Sequence, residues 1–569
     1  MRNRLTKVWK PKPLPSEEII NTLIAELKTS KLLATIMAQR NITCHEEGRK
    51  FFAPKRSDLY DPFLMKNMDI AVKRIIQAFE SNERILLYGD YDVDGTTAVS
   101  LLLNYFTPIH PNLDFYIPDR FNEGYGLSVG GVQKAIDENT GLIITLDCGI
   151  KDLANIKLAK DNGIDVIVCD HHTVGETLPE AFAILNPKQA DCSYPFKELT
   201  GCGIGFKLLQ AYHQKVEGSR DPIQYVDFVA VSTASDIVPI VDENRVLTSL
   251  GLHVINTHPH IAFKTMIQNS ALKRELNVSD LVFIIGPRLN ASGRVDHARD
   301  TVLLLTSKSG REASEAAETI NKNNTERKDI DQNITNQALQ MIENDPAQKE
   351  MMSSVVFDPS WHKGVVGIVA SRLIENYYRP TVVLTESEGL LVGSARSIPG
   401  FDLYQALEKC RHLFVKFGGH QYAAGLTLKH EDLDAFRVEF EKIARGNITP
   451  DMMLPTLDYD LELNLHQINE KLVRSLQKFA PFGPGNMKPR FISRDLRTAF
   501  APKVVGSNHL KLVVTDGNSS TFDAIAYNMG DLIGNFVNGN KFDICYSLDE
   551  NYWNDRVTIQ LNIKDIKFN

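Results

Sequence analysis

Five strand-length apolar runs, separated by helical segments and closed by polar residues, restrict residues 84–186 to one kind of architecture. They are ILLY (85–88), LDFYIP (113–118), LIITLD (142–147), DVIVCD (165–170) and FAILN (182–186). This alternation predicts a mostly parallel sheet flanked by helices. In such sheets functional groups gather at the carboxyl ends of the strands. The polar residues of this chain fall there: Asp90, Asp92 and Asp94 follow the first run, Asp147 closes the third, and Asp170, His171 and His172 close the fourth. DFVAVSTASDIVPI (227–240) reads as one more apolar strand, with Asp236 at its end.

Between the strand Arg84–Tyr88 and an apolar helical restart at Thr97, residues Gly89–Thr96 must turn the chain. A single carboxylate in such a turn is usually solvated. Three within five residues repel one another unless a cation sits among them, so the turn reads as a divalent-metal site. A lone Asp at a strand end is most often a helix cap, but four strand ends opening on one face point to a shared centre. The paired histidines supply one imidazole as ligand and a second for polarising or proton work. A donor set of Asp and His without Cys suits Mn²⁺ or Mg²⁺. The acids exceed what one ion needs, and two ions about 3.5–4 Å apart are the arrangement used in phosphoester hydrolysis. Asp147 is the natural bridging ligand.

The rest of the chain limits the setting. Seven scattered cysteines, odd in number and never in a CxxC pair, argue for a reducing, cytoplasmic compartment and against a disulfide framework or structural zinc. Neither a signal peptide nor a membrane span is expected, because the basic N-terminus lacks an apolar core after it. The net charge of -8 weighs against a nucleic-acid partner, yet an acid-rich metal site contributes negatives that bound cations offset.

With 569 residues the chain has room for several domains. Residues 1–75 read as a helical preface, capped at Ser16, that packs against the domain following it. Residues 76–300 hold the parallel sheet. Over 301–345, Ala313, Ala316, Ala317, Ile320, Ile334, Ala338 and Met341 recur at helical spacing and predict one long connecting helix, with a kink or a polar contact at Asn323–Asn324. Residues 346–450 form a second α/β unit with strands at SVVFDP, TVVLTE and LLVGSARS. There Gly418–Gly419 shows neither strand nor helix pattern and permits close approach by a phosphate backbone. Residues 451–569 alternate like the strands of a small barrel, for which the OB type, a frequent carrier of single-stranded nucleic acid, is the economical choice. Lys503, Lys511, Tyr527, Tyr552 and Trp553 offer charge and stacking there, although barrel aromatics usually belong to the core.

GDYDVDG, LDCGI, CDHH and SDIVP resemble the successive motifs of the DHH phosphoesterase superfamily. YIPDRFNEGYGLS (116–128), GPRLNASGR (286–294), WHKGVVGIVASRL (361–373), GSARS (393–397) and GGHQYAAG (418–425) extend the resemblance, in order, to the RecJ family of single-strand-specific exonucleases. The resemblance implies an α/β multidomain protein: a parallel-sheet DHH domain and a smaller DHH-associated domain joined by a long helix, plus the OB-like barrel. It implies two divalent ions, Mn²⁺ or Mg²⁺, on Asp92, Asp94, Asp147, His171 and Asp236, with Asp90 and His172 in catalytic support. It assigns Arg120, Arg288, Asn290, Ser394, Arg396 and His420 to the substrate phosphates, while His362 reads equally well as structural. The implied activity is 5′-to-3′ degradation of single-stranded DNA to mononucleotides in recombination and repair. Single-strand-binding protein and a RecQ-type helicase are the implied partners, and the multidomain clamp suits a monomer. A small-nucleotide phosphodiesterase or pyrophosphatase shares the metal motifs but needs no barrel. A non-catalytic DNA-binding scaffold needs none of the acids.

Overall fold

The structure, a computed structural model, describes residues 5–270, 272, 274–518, 520–536, 540–553 and 556–568, with Tyr552, Trp553 and Arg556 described in backbone only. Two compact units form, one from Tyr60–Val238 and Leu250–Pro455, the other from Lys7–Leu59, Pro239–Ser249 and Thr456–Asn569.

In the first unit all five apolar runs are strands: β1 (Arg84–Gly89), β2 (Leu113–Tyr116), β3 (Thr140–Leu146), β4 (Asp165–Cys169) and β5 (Ala183–Leu185). They pair in the order β2-β1-β3-β4-β5, every pair parallel. The chain leaves β1 toward β2 and returns to its other side as β3, so the topological switch point lies between β1 and β3. Residues 85–88 and 142–144 are fully buried, which is why these strands read as unbroken apolar runs and not as alternation.

Four helices complete the frame: α1 (Val93–Phe106), α2 (Gly201–Lys215), α3 (Val226–Ser235) and α4 (Gly286–Val295). Helix α1 begins four residues before the expected Thr97, because Asp92 caps it. The expected strand before Asp236 is instead α3, with Asp236 at its C-cap. Residues Val226–Ala234 are buried throughout, and a helix enclosed on every side carries no 3.6-residue stripe to distinguish it from a buried strand.

Within α3, the buried carboxyl of Asp227 accepts from the backbone of Phe228 and His260, each at 3.0 Å. Burial pushes its pKa up to about 7. The folded value lies above the unfolded one, so the stability associated with this group is complete below pH 4 and is lost as pH rises through about 7. Asp227→Asn is expected to stabilise the protein by about 1–3 kcal/mol at pH 8 and little at pH 4, read from thermal unfolding. Equal gains at both values would count against this account.

A second sheet in the same unit comprises β6 (Ser354–Phe357), β7 (Thr381–Ser387), β8 (Leu390–Arg396), β9 (Phe414–Gly419) and β10 (Ala423–Leu428), ordered β9-β10-β8-β7-β6. Only β6 and β7 are parallel. Gly418 and Gly419, expected outside any strand, end β9 and pair with Gly425 and Ala424. Without side chains they leave no alternation to read.

Helix α5 (Gly310–Asn344) is 35 residues long and unbroken. Residues 301–305 belong to a separate helix, Arg299–Leu305, so the connecting helix starts later than expected. At the expected interruption the structure makes polar contacts: Asn323 Nδ2 donates to Ser292 Oγ of α4 at 3.3 Å, and Asn324 Oδ1 accepts from Arg327 at 2.9 Å. Further along, Ile334, Ala338 and Ile342 join Val356, Trp361, Val365 and Leu373 in one cluster, so a single rod packs on α4 at one end and on the second sheet at the other. Helix α6 (Val366–Tyr377) covers that sheet.

The second unit holds a barrel. Strand Phe491–Thr498 pairs with Phe542–Trp553, followed by Arg556–Phe568, Thr521–Ala526 and His509–Thr515. The last of these returns to Arg497 and Thr498 and closes five strands. The N-terminal helices Glu17–Leu27, Lys31–Ala38 and His45–Phe52, expected to pack on the domain that follows them, instead share their core with the barrel. Ile20, Leu23, Ile36 and Met37 share a core with Leu463, Phe491, Leu512 and Tyr546 of the barrel. Their apolar stripe was legible, but which distant surface it covers is a tertiary choice. Lys503 and Lys511 are exposed register partners on adjoining strands, and Tyr527 is exposed with its ring 5.1 Å from His509. The side chains of Tyr552 and Trp553 lie outside the described residues.

Candidate active site

The acids converge at the switch point. Asp92 caps α1, its Oδ1 accepting from the backbone of Asp94 at 2.8 Å and Gly95 at 3.2 Å. Asp94, one residue inside the helix, faces the N-terminus of α2. It accepts from Gly201 N at 2.6 Å, Cys202 N at 2.8 Å and Ser232 Oγ at 2.7 Å. The positive end of α2 thus holds one carboxylate in place. A Cβ on Gly201 would stand 2.6 Å from Asp147 Cβ, so only glycine lets α2 come this close. Asp147 itself sits at φ 63°, a left-handed backbone uncommon outside glycine and enriched at functional sites.

Three sets of ligand atoms each gather within 4.8 Å: Asp90, Asp92 and Asp147; Asp94, His171 and Asp236; Asp147, His171 and His172. The five expected ligands and the two expected supporters, Asp90 and His172, are therefore brought together, and Asp147 and His171 each belong to two sets. His171 Nε2 lies 3.1 Å from Asp147, 3.6 Å from Asp94 and 3.7 Å from Asp236. Buried Oδ1 atoms of Asp90 and Asp147 have no hydrogen-bond partner. Orphaned carboxylate oxygens in a closely packed acidic nest fit divalent cations, which would sit on oxygen and imidazole donors here.

The electrostatics agree. Burial, reinforced by neighbouring acids, pushes Asp147 and Asp90 well above the usual carboxylate range, and Asp236 up to about 9. Asp170 goes the other way. Burial opposes its charge, but His172 Nδ1 at 2.7 Å and the backbone N–H groups of His172 and Ile150 hold it down to about 2. Burial depresses the His172 pKa most, but the hydrogen bond to Asp170 and the charges of Asp170, Asp92 and Asp94 together lift it above the ordinary imidazole value. The Tyr125 hydroxyl donates to Asp147 O at 3.0 Å and lies 3.0 Å from His172 Nδ1.

Beside the acids a cavity of about 810 Å³ opens between the two sheets of this unit. Tyr91, Arg120, Tyr125 and Lys151 line one side, Lys416 and His420 the other. Arg120 and His420 are thus brought to the cleft. Arg120 lies 4.8 Å over the Tyr91 ring, and Arg396 donates to Ser394 Oγ at 2.7 Å. Arg288 does not line the cavity, being engaged with Asn321 at 3.1 Å and Ile284 O at 2.6 Å. Asn290 accepts from Val93 N at 3.1 Å, tying α4 to the start of α1.

Sequence reasoning missed Arg294, the last residue of GPRLNASGR. It donates to Gly364 O at 3.2 Å, and burial, then Arg120, lowers its pKa to about 9. An arginine near other arginines signals an anion site, but only folding reveals the clustering.

Comparison with known proteins gives three family matches: the DHH family, N-terminal domain, over residues 84–233; the DHHA1 domain over 348–446; and the RecJ OB domain over 459–565. The chain is 38% identical to the single-stranded-DNA-specific exonuclease RecJ of Bacillus subtilis over 97% of its own length and 70% of that protein's. It is 32% identical to the RecJ of Escherichia coli, over 88% and 90%. Among solved structures, RecJ of Thermus thermophilus in complex with Mn²⁺ superposes with a TM-score of 0.85 at 26% identity, covering 100% of this chain and 80% of that one. Among the described residues no helix is long and apolar enough to cross a membrane.

Proposed function

The chain belongs to the RecJ family of single-stranded-DNA-specific exonucleases, and from that premise we propose that it hydrolyses single-stranded DNA from the 5′ end, releasing 5′-mononucleotides in recombination and repair. The observation that carries this reading is a nest of buried, partly orphaned carboxylates beside a cleft lined by Arg120, His172, Lys416 and His420.

Asp92, Asp94, Asp147, His171 and Asp236 would hold two divalent cations, Mn²⁺ or Mg²⁺, with Asp90 supporting them. Bound there, the ions supply activation of the attacking water and neutralisation of charge on the leaving oxygen. The protein's own groups do the rest. Asp170, 2.7 Å from His172 Nδ1, orients this imidazole and favours its protonated form, which suits it to pass a proton to the departing 3′ oxygen. Arg120, Ser394, Arg396 and His420 bind the terminal phosphate, Arg being suited to a forked grip. Arg294 adds charge behind them. Asn290 and Arg288 act at one remove, by seating α4 against α1 and α5. The barrel guides the strand through Lys503, Lys511 and Tyr527. Selection against duplex is steric, set by the two sheets on one helical rod. Domain limits of 76–300, 301–345, 346–450 and 451–569, a cytoplasmic monomer, and single-strand-binding protein with a RecQ-type helicase as partners complete the proposal.

The test is an end-labelled assay with Mn²⁺ on 5′-phosphorylated and 5′-hydroxyl single strands, matching blunt duplex, short oligoribonucleotides and pyrophosphate. Stepwise loss of the phosphorylated single strand with duplex spared is expected. Arg396→Ala should raise KM for that strand about 10–100-fold while affecting the hydroxyl strand much less. Turnover of only the shortest substrates would move the assignment to a small-nucleotide phosphodiesterase.

A further inference from the structure

The segment 118–126 lies outside helices and strands, yet it carries Arg120 and Tyr125 to the cleft. Its inner face is held by Glu123, whose carboxylate accepts from Asp119 N at 2.7 Å, Tyr116 Oη at 2.9 Å and Ser128 Oγ at 2.6 Å. Its outer face is held from the second sheet. Lys363 Nζ donates to Phe121 O at 3.0 Å, stands 5.0 Å from the centre of the Phe121 ring, and donates to Ser387 Oγ at the end of β7 at 3.3 Å. The His362 ring meets the same phenyl edge-on at 5.6 Å.

The residues that follow face the phosphate-binding arginines. Gly364 accepts from Arg294 at 3.2 Å, and a Cβ there would lie 1.9 Å from Arg294 O, so no other residue allows this approach. A Cβ on Gly367 would stand 2.9 Å from the Arg396 guanidinium and 3.1 Å from Ser394 Oγ. One stretch, 362–367, therefore touches the loop that bears Arg120 on one side and Arg396 with Ser394 on the other.

We infer that Lys363 is a positioning residue, a latch that fixes the Arg120 side of the terminal-phosphate pocket against its Arg396 side, with His362 packing the Phe121 ring beneath it. The inference rests on the reading of Arg120 and Arg396 as the phosphate grip. The lysine touches no reacting atom. It supplies a charge-assisted bond and a cation–π contact that hold an otherwise irregular loop in its binding conformation. Without it, the loop must be ordered when substrate binds, and that cost appears in affinity and not in the chemical step.

Lys363→Met keeps the aliphatic stem over Phe121 and removes the donor. In the full-length enzyme with Mn²⁺, it is expected to raise KM for a 5′-phosphorylated single strand about tenfold with kcat within about twofold. It should also speed amide hydrogen exchange across residues 118–126. Lys363→Arg, which can donate and stack, should restore both. Unchanged exchange and KM in Lys363→Met would overturn the latch, as would a joint fall in kcat and thermal midpoint that Lys363→Arg also shows. If the wild type cleaves 5′-hydroxyl and 5′-phosphorylated strands equally well, the pocket assignment fails on its own terms, and the exchange measurement still decides whether the loop is latched.

Discussion

Asp147→Asn is expected to lower strand hydrolysis by about 10³-fold or more, while raising the thermal midpoint of the metal-free protein. The two effects share one cause. Asp147 is 2% exposed and lies among Asp90, Asp92, Asp94 and Asp236, with the His171 imidazole 3.1 Å from its Oδ1. Cations resolve that repulsion, and in their absence the cluster is a source of strain. Because the folded-state pKa lies well above the unfolded one, the metal-free protein is most stable at acid pH and loses stability as pH rises toward that value. Asparagine removes the charge, fills the same space and tolerates the φ of 63° that alanine would resist. In EDTA the variant should gain about 1–3 kcal/mol at pH 8 and show a flatter pH profile. Added Mn²⁺ should raise the wild-type midpoint much more than the variant's. Activity within tenfold of wild type, or no gain in midpoint, would remove Asp147 from the metal site.

Arg245→Ala is expected to destabilise the barrel-bearing unit by about 3–5 kcal/mol. This guanidinium is 3% exposed and donates to four backbone carbonyls: Phe51 at 3.0 Å, Phe479 at 3.1 Å, Ala480 at 2.7 Å and Pro481 at 3.1 Å. It also lies 3.6 Å over the Phe51 ring. Truncation leaves buried acceptors unpaired and opens a void beneath an aromatic. Lysine should rescue little, since three donors on one nitrogen cannot replace a planar fork that serves four oxygens. Denaturant unfolding followed by hydrogen exchange in Phe491–Thr498 and Phe542–Trp553 reads the effect. A loss below about 0.5 kcal/mol, the range of ordinary surface changes, would show that these carbonyls find other partners.

What the sequence made legible follows from how each signal arises. The parallel sheet was readable because strands buried on both faces are written as continuous apolar runs, and its acids because Asp90 to Asp94, Asp147 and Asp170 to His172 end those runs directly. Asp236 was placed correctly near the others but on the wrong element, since an all-round buried helix and a buried strand share one pattern. Asn323 and Asn324 announced a polar contact without naming Ser292 as partner. Arg288 and Arg294 sit in one motif with the same side chain. Only folding turns the first toward Asn321 and the second toward Gly364. Lys363 carries no local signal at all, because its role depends on a loop more than two hundred residues away in sequence.

The assembly of the second unit has a consequence for synthesis. Its first helices end at Phe52, and the segment that covers them begins at Leu461. At roughly 5–20 residues per second, the ribosome takes between about 20 and 80 s to deliver the missing half of that core. Through that interval the nascent chain carries Ile20, Leu23 and Ile36 without their native cover while the nuclease sheet is made behind them, so a segment made before that sheet is completed only after it.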